Sequence, residues 1–314
     1  MNPILYIVIP CFNEEEVLDE TARRILVLLD RMESEGLIAA GSRMLPVDDG
    51  SRDRTWQIIE RLHAADPRVS GVKLAANSGH QNALLAGLLT ASGKADIMVS
   101  IDADLQDDAE VIPDMVRKYH EGNDIVYGVR RSRQTDNWFK RTTATLFYRF
   151  MQALGAKTIY NHADYRLMSR RAVRQLANYR ERNLFLRGLV PLLGYRSDVV
   201  YYDRARRFAG TSKYPLGKML NFALDGITSF SIRPLRLLFH LGLFFILIAL
   251  CILVWVLYKY ITGDVVTGWS SLILSIWFVG GCVLTGLGIT GEYVGKIYME
   301  VKDRPRYNIE LTLE

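Results

Sequence analysis

Ile97-Met98-Val99-Ser100-Ile101 runs into Asp102-Ala103-Asp104-Leu105-Gln106, an apolar stretch that stops on two carboxylates one residue apart. A short, nearly continuous apolar run rich in β-branched residues reads as a strand buried on both faces. Ionised groups are costly inside such a strand, so Asp102 marks where the chain reaches water.

The same pattern recurs on either side. Leu5-Tyr6-Ile7-Val8-Ile9, Met44-Leu45-Pro46-Val47, residues 69–74 and residues 125–129 are further strand candidates. Helical patterns over 15–35, 54–64, 81–91 and 110–121 fall between them. This alternation predicts an α/β fold of the Rossmann-like kind, a mainly parallel sheet flanked by helices. Ligands of such sheets sit beyond the carboxyl ends of the strands. Those ends are Pro10-Cys11-Phe12-Asn13-Glu14, Asp48-Asp49-Gly50-Ser51, Asn77-Ser78-Gly79 and Asp102-Ala103-Asp104, so the polar clusters share one edge. Pro46 inside its strand predicts an edge or bulged position.

The net charge of +5 hides a segregation. Residues 1–124 carry −10, residues 125–240 carry +16 and the remainder −1. The basic block suggests phosphate groups, a polyanion or an anionic membrane surface. Nucleic acid is disfavoured, because no zinc-finger or basic-zipper spacing accompanies the block. Cys11, Cys251 and Cys282 form no CxxC and no disulfide framework, which suits a reducing compartment. The N-terminus lacks the pattern of a signal peptide, so the first 230 residues are expected in the cytoplasm.

Near the C-terminus, 237–258 and 269–291 are 22 and 23 residues without a formal charge. About 20 such residues span the hydrocarbon core of a bilayer. Trp255, Tyr258, Tyr260 and Trp269 cluster around the short connection, as aromatic belts do. Arg233 and Arg236 precede the first segment, and Lys296, Lys302, Arg304 and Arg306 follow the second. The positive-inside bias then puts both termini in the cytoplasm. The expected organisation is a catalytic domain over 1–215, an amphipathic juxtamembrane segment over 216–236, transmembrane helices over 237–258 and 269–293, and a tail over 294–314.

Asp102 and Asp104 with Gln106 offer two carboxylates and an amide oxygen, a set that suits a hard divalent ion such as Mg²⁺ or Mn²⁺. The five histidines show no zinc spacing. Asp48-Asp49 either accepts hydrogen bonds from a base or ribose or caps the turn before Arg54. Gly286-Leu287-Gly288-Ile289-Thr290-Gly291 matches G-x-G-x-x-G but has no preceding strand and no ribose-binding acid, so the dinucleotide reading is rejected. Gly281, Gly288 and Gly295 recur every seven residues and suit close helix approach in lipid, against the first span or another subunit.

Ile9-Pro10-x-x-Asn13-Glu14, Val47-Asp48-Asp49-Gly50-Ser51 and Asp102-Ala103-Asp104-Leu105-Gln106 resemble the family-2 inverting glycosyltransferases of GT-A fold. Ala163-Asp164-Tyr165-Arg166-Leu167-Met168-Ser169, Gly210-Thr211-Ser212-Lys213-Tyr214 and the Arg233-Pro234-Leu235-Arg236 entry to two spans are similar to the polyprenyl-phosphate glycosyltransferases. That group includes bactoprenol glucosyltransferases and dolichol-phosphate mannose synthases, and the two-span form resembles the bacterial branch. The resemblance implies roles. Pro10, Asn13, Glu14, Asp48, Asp49 and Asp102 would bind the nucleotide sugar, with Arg207 and Lys213 closing over its phosphates. Asp102, Asp104 and Gln106 would hold Mg²⁺ or Mn²⁺. Arg130 with Lys140 or Arg141 would take the acceptor phosphate, and Arg187 would add to that surface.

Asp104 and Asp164 stand at the catalytic positions, Asp164 where the family's candidate general base lies. A phosphate monoester has a second pKa near about 6, so its oxygen is already nucleophilic at neutral pH. Asp164 either removes a proton or orients acceptor and sugar. The QxxRW signature of processive synthases is missing. The resemblance thus implies transfer of a single hexose, glucose from UDP-glucose first, to undecaprenyl phosphate at the cytoplasmic face of the bacterial plasma membrane. UDP-N-acetylglucosamine and GDP-mannose are the alternative sugar sources, and a catalytically silent nucleotide-sugar-binding membrane protein is the reading from another class. A homo-oligomer, a tetramer by the same resemblance, is expected.

Overall fold

The computed structural model describes residues 2–131, 162–182, 184–203, 233–262 and 268–314. The chain divides into two compact units. One comprises 1–145, 157–214 and 304–314, and the other 146–156 and 215–303.

The first unit opens with β1 (Leu5–Cys11), α1 (Leu18–Ser34), β2 (Arg43–Asp48), α2 (Thr55–Ala65), β3 (Gly71–Leu74), α3 (His80–Ala91) and β4 (Ile97–Ser100). A 3₁₀ turn (Ala109–Val111) leads into α4 (Ile112–His120) and β5 (Ile125–Arg130). Then come β6 (His162–Ser169), α5 (Arg170–Leu176), α6 (Leu186–Leu192), β7 (Ser197–Tyr202) and, at the far end of the chain, β8 (Ile309–Leu313). They form one eight-stranded sheet in the order β7-β5-β6-β4-β1-β2-β3-β8.

Strands β4, β1, β2 and β3 run parallel, as the apolar runs predict. All seven residues of β1 are buried. Its odd-numbered residues Leu5, Ile7, Ile9 and Cys11 share a core with Leu18, Ala22, Ile25, Leu29 and Met32 of α1 and with Ile112 and Met115 of α4. That spacing along α1 is the apolar stripe of a surface helix. The opposite face meets α3, and Gly87 lets it approach. A Cβ built there would stand 2.4 Å from Val8 and 2.6 Å from Val47.

Three features depart from the simple alternation. β6 enters antiparallel between β4 and β5, so β5 does not neighbour β4. Pro46 is neither at an edge nor at a bulge. β2 lies between β1 and β3, with Pro46 in register with Ile9. Pairing to β3 lapses between Met44↔Val69 and Val47↔Val72 with the register unchanged, and that gap accommodates the missing N–H. The third is β8, which adds antiparallel to β3 and takes the sheet edge. Lys73–Glu310 (3.1 Å), Lys94–Glu314 (2.9 Å) and the Ala75 N–H to Asn308 carbonyl bond (2.9 Å) join it to the domain.

The second unit contains α7 (Arg233–Ile261) and α8 (Trp269–Val301), helices of 29 and 33 residues that contain the two uncharged segments. Phe245 and Phe278 meet edge to face between them. Phe239, Phe244, Val254, Leu284 and Leu287 are among their exposed apolar side chains. Over the described residues alone, no helix is long and apolar enough to cross a membrane, and several side chains within both helices lie outside that set. The predicted amphipathic segment over 216–236 lies almost wholly outside the described residues.

Candidate active site

The strand directions place the polar clusters together. The ends of β1, β2, β3 and β4 share an edge with the start of β6, which runs the other way and so delivers Asp164 there.

On one side, three loops are tied to each other. Pro10 is buried in register with Val47. Asn13 adopts a left-handed backbone (φ 57°), with its N–H on Ser51 Oγ (3.0 Å) and its Oδ1 accepting from the Arg52 N–H (2.9 Å). The Glu14 N–H donates to Thr55 Oγ1 (2.9 Å). Asp48 is buried. Its Oδ1 accepts from the Ser51 N–H (3.2 Å), while Oδ2 is buried and has no hydrogen-bond partner among the described residues. Asp49 accepts from the N–H groups of Ser78 (2.6 Å) and Gly79 (3.0 Å). Burial pushes both carboxyls above the ordinary aspartate range. Gly50 makes the turn possible. Its φ is +65°, and a Cβ there would stand 2.6 Å from the Asn77 nitrogen.

At the end of β4, α1 secures the acidic loop through Thr21 Oγ1, which donates to the Ala103 carbonyl (2.9 Å). Leu105 is left-handed (φ 57°), and the Gln106 N–H folds back on Asp104 Oδ1 (3.2 Å). The Asp102 carboxyl is pushed up to about 6. Loss of hydration is the main cause, opposed by His80 and reinforced by Asp107, Asp164 and Asp104. His80 Nε2 lies 3.6 Å from Asp102 and 3.8 Å from Asp164, so the start of α3 joins the two halves of the site.

Among the described residues, no three His, Cys, Asp or Glu side chains form a metal-holding cluster. Asp102 and Asp104 supply two carboxylates and Gln106 an amide oxygen. Hard oxygen donors that repel one another fit a divalent cation completing its shell with phosphate and water.

Asp164 is 6% exposed and acceptor-saturated. Arg166 Nη2 donates to Oδ1 (2.6 Å), Arg187 Nε and Nη2 reach Oδ1 and Oδ2 (3.2 and 3.0 Å), and Gln81 Nε2 donates to Oδ2 (3.1 Å). Burial alone would raise its pKa. Arg187 and Arg166 outweigh it and hold the carboxyl well below the usual range. Arg166 is thus the ion-pair partner of Asp164 on its own strand, whereas Arg170 pairs with Asp96.

Arg130 stands at the end of β5, and its guanidinium meets Asp107 (3.2 Å) and Tyr202 Oη (3.2 Å). Tyr202 in turn donates to Asp107 (2.6 Å). The structure thus gives Arg130 internal partners on the flank of the expected acceptor site. Lys140, Arg141, Arg207 and Lys213 lie outside the described residues. Sequence reasoning missed His80, Gln81, Asp107 and Tyr202 as site residues. One signal was available: His80-Gln81 directly follows the Asn77-Ser78-Gly79 strand end.

The site is thus a mainly parallel sheet with carboxylates at its strand ends, faced by the buried Arg166 and the partly buried Arg130 and Arg187. The model of glycosyl transferase family 2 matches residues 6–177. The "Uncharacterized glycosyltransferase YkoT" of Bacillus subtilis is 54% identical over 312 residues, covering 99% of this chain and 93% of the relative. The "Bactoprenol glucosyl transferase" of Shigella phage SfII is 41% identical over 306 residues, covering 97% and 96%. Glucosyl-3-phosphoglycerate synthase from Mycobacterium tuberculosis aligns at TM-score 0.47 and 21% identity over 73% of this chain and 79% of its own. The chain belongs to glycosyl transferase family 2, and it is a glycosyltransferase.

Proposed function

We propose that this glycosyltransferase moves one hexose, glucose from UDP-glucose first, onto a polyprenyl phosphate such as undecaprenyl phosphate. The observation that carries this reading is one sheet edge with Asp48 and Asp49 at one end, Asp102 and Asp104 in the middle and the Asp164–Arg187 pair beyond. Relatives named bactoprenol glucosyl transferase, matched over nearly their whole length, support the lipid acceptor.

Asp48 and Asp49 would accept from the nucleoside, Asp48 through Oδ2, which has no partner among the described residues. Asp102, Asp104 and Gln106 would hold a Mg²⁺ or Mn²⁺ ion, which neutralises charge on the diphosphate when bound. A phosphate oxygen of the lipid attacks the anomeric carbon from the face opposite the nucleotide, the bond from that carbon to the diphosphate breaks, and the configuration inverts. Arg207 and Lys213 would stabilise the departing diphosphate. Asp164, fully engaged by basic partners, orients Arg187 toward the acceptor phosphate, which needs no base because its oxygen is largely ionised at neutral pH. Sugar sources other than UDP-glucose, namely UDP-N-acetylglucosamine and GDP-mannose, are compatible with this reading.

Helices α7 and α8 anchor the domain as a hairpin in the bacterial plasma membrane. Each contains one of the uncharged segments, 237–258 and 269–291, and exposes large apolar side chains. Residues 157–214 and 304–314 belong to one unit, so the chain leaves it and returns, which requires an even number of crossings. The basic flanks put that unit in the cytoplasm. The Gly281, Gly288 and Gly295 stripe of α8 would allow close approach of α7 or of another subunit in a homo-oligomer. The test is sugar transfer by detergent-purified protein to undecaprenyl phosphate, with a panel of nucleotide sugars, in Mg²⁺ and in EDTA. The expected result is one lipid-linked product that EDTA abolishes, and no transfer from any nucleotide sugar overturns the reading.

A further inference from the structure

Gln81 occupies a position that the reaction scheme leaves unused. Its Nε2 donates to Asp164 Oδ2 (3.1 Å), and its Oε1 accepts from the Leu186 N–H (3.0 Å) at the start of α6. A backbone N–H can only donate, so this contact fixes the amide orientation and turns the NH₂ toward Asp164. Arg166 makes the matching bridge from the other side, with Nη2 on Asp164 (2.6 Å) and Nη1 on the Leu186 carbonyl (3.2 Å). Asp164, Gln81, Leu186 and Arg166 therefore form a closed ring. The next residue, Arg187, reaches back from that ring to Asp164 with a side chain 35% exposed.

We propose that Gln81 is a positioning residue for the acceptor, acting through Asp164 and Arg187. This rests on the reading of Arg187 as an acceptor-phosphate contact. Two arginines compete for one carboxylate, and Arg166, 1% exposed, cannot turn away. Gln81 holds Oδ2 at one edge and the backbone N–H of Leu186, the residue before Arg187, at the other, so the carboxylate and the root of the Arg187 side chain are fixed together. It belongs to α3, whose first residue His80 faces Asp102. The amide thereby registers the acceptor side against the side that holds the nucleotide sugar.

The test is steady-state transfer by Gln81→Leu and Gln81→Glu in the full-length, detergent-purified protein, with UDP binding and thermal midpoint measured alongside. Gln81→Leu removes both hydrogen bonds. Gln81→Glu keeps the size and the Leu186 contact but sets a carboxylate against Asp164, so it decides the matter if the first variant fails to fold. The expected result is a rise in KM for the polyprenyl phosphate of about tenfold or more, the scale of a lost hydrogen bond to a charged group, with the KM for nucleotide sugar and UDP affinity within about twofold. An unchanged acceptor KM, or equal losses for both substrates, overturns the proposal. Wild-type protein that transfers to no polyprenyl phosphate sinks the reading of the site and this inference with it, an outcome visible before any variant is compared.

Discussion

Arg166 Nη2 lies 2.6 Å from Asp164 Oδ1, with both side chains almost wholly withdrawn from solvent inside one strand. A buried pair of this kind contributes little net stability, but removing one partner strands the other charge. Asp164→Asn therefore costs about 3–5 kcal/mol and abolishes transfer. Asp164→Asn with Arg166→Met should recover much of the stability without recovering activity. Thermal denaturation of the single and double variants checks this, and a single variant as stable as wild type contradicts it.

Asp102 is poised near neutrality, with its carboxyl pushed up to about 6. A proton and a cation compete for that oxygen, so divalent-ion affinity weakens as pH falls below about 6, approaching tenfold per unit. The stability sign is opposite to that of a salt-bridged carboxylate. A raised folded-state pKa means the ionised form destabilises above the unfolded value. Asp102→Asn should raise the thermal midpoint of the metal-free protein at pH 7–8, and the gain should vanish below about pH 4. Mn²⁺ titration and melting curves at several pH values report both effects. A pH-independent Mn²⁺ affinity argues against Asp102 as a ligand.

Gly87 and Gly50 make separable predictions. At Gly87 a methyl group meets two valine side chains, so Gly87→Ala costs about 1–3 kcal/mol by overpacking and leaves UDP affinity in the folded protein unchanged. At Gly50 the obstruction is backbone and the φ is positive. Gly50→Ala should therefore distort the Asp49 loop and weaken UDP binding as well as lower the melting temperature. Equal effects of the two on UDP binding would show that the Asp49 turn has no special role.

Deleting 309–314 uncovers the β3 edge and takes Glu310 and Glu314 from Lys73 and Lys94. β3 leads directly into the 76–79 loop that Asp49 holds. The truncated protein should melt at lower temperature, bind UDP more weakly and aggregate more readily through its open edge. Calorimetry with size-exclusion chromatography decides it, and unchanged behaviour would make β8 dispensable.

Much of the fold was readable from pattern. The buried runs of β1, β2, β3 and β4 and the helices between them stand within a few residues of where hydrophobic periodicity places them, because a strand covered on both faces carries its own signature. β8 was not readable. Ile309-Glu310-Leu311-Thr312-Leu313 alternates like many exposed edges, and its partner is more than 230 residues away. Pro46 misled for a similar reason, since the ladder gap that tolerates it belongs to the pair of strands and not to β2.

The amino-acid sequence alone determined the chemistry available: acidic strand ends on one edge, a basic middle third, and two long uncharged segments. These are local properties, set by residue type and spacing. Tertiary structure decided the partnerships, because they join residues far apart in the chain. The antiparallel entry of β6 carries Asp164 to the edge where β4 ends, and the first turn of α3 brings His80 and Gln81 beside it. Two arginines from different elements then make that aspartate a fixed anion rather than a proton acceptor. No spacing rule encodes that outcome, since charge is a property of a residue but its neutralisation is a property of the fold.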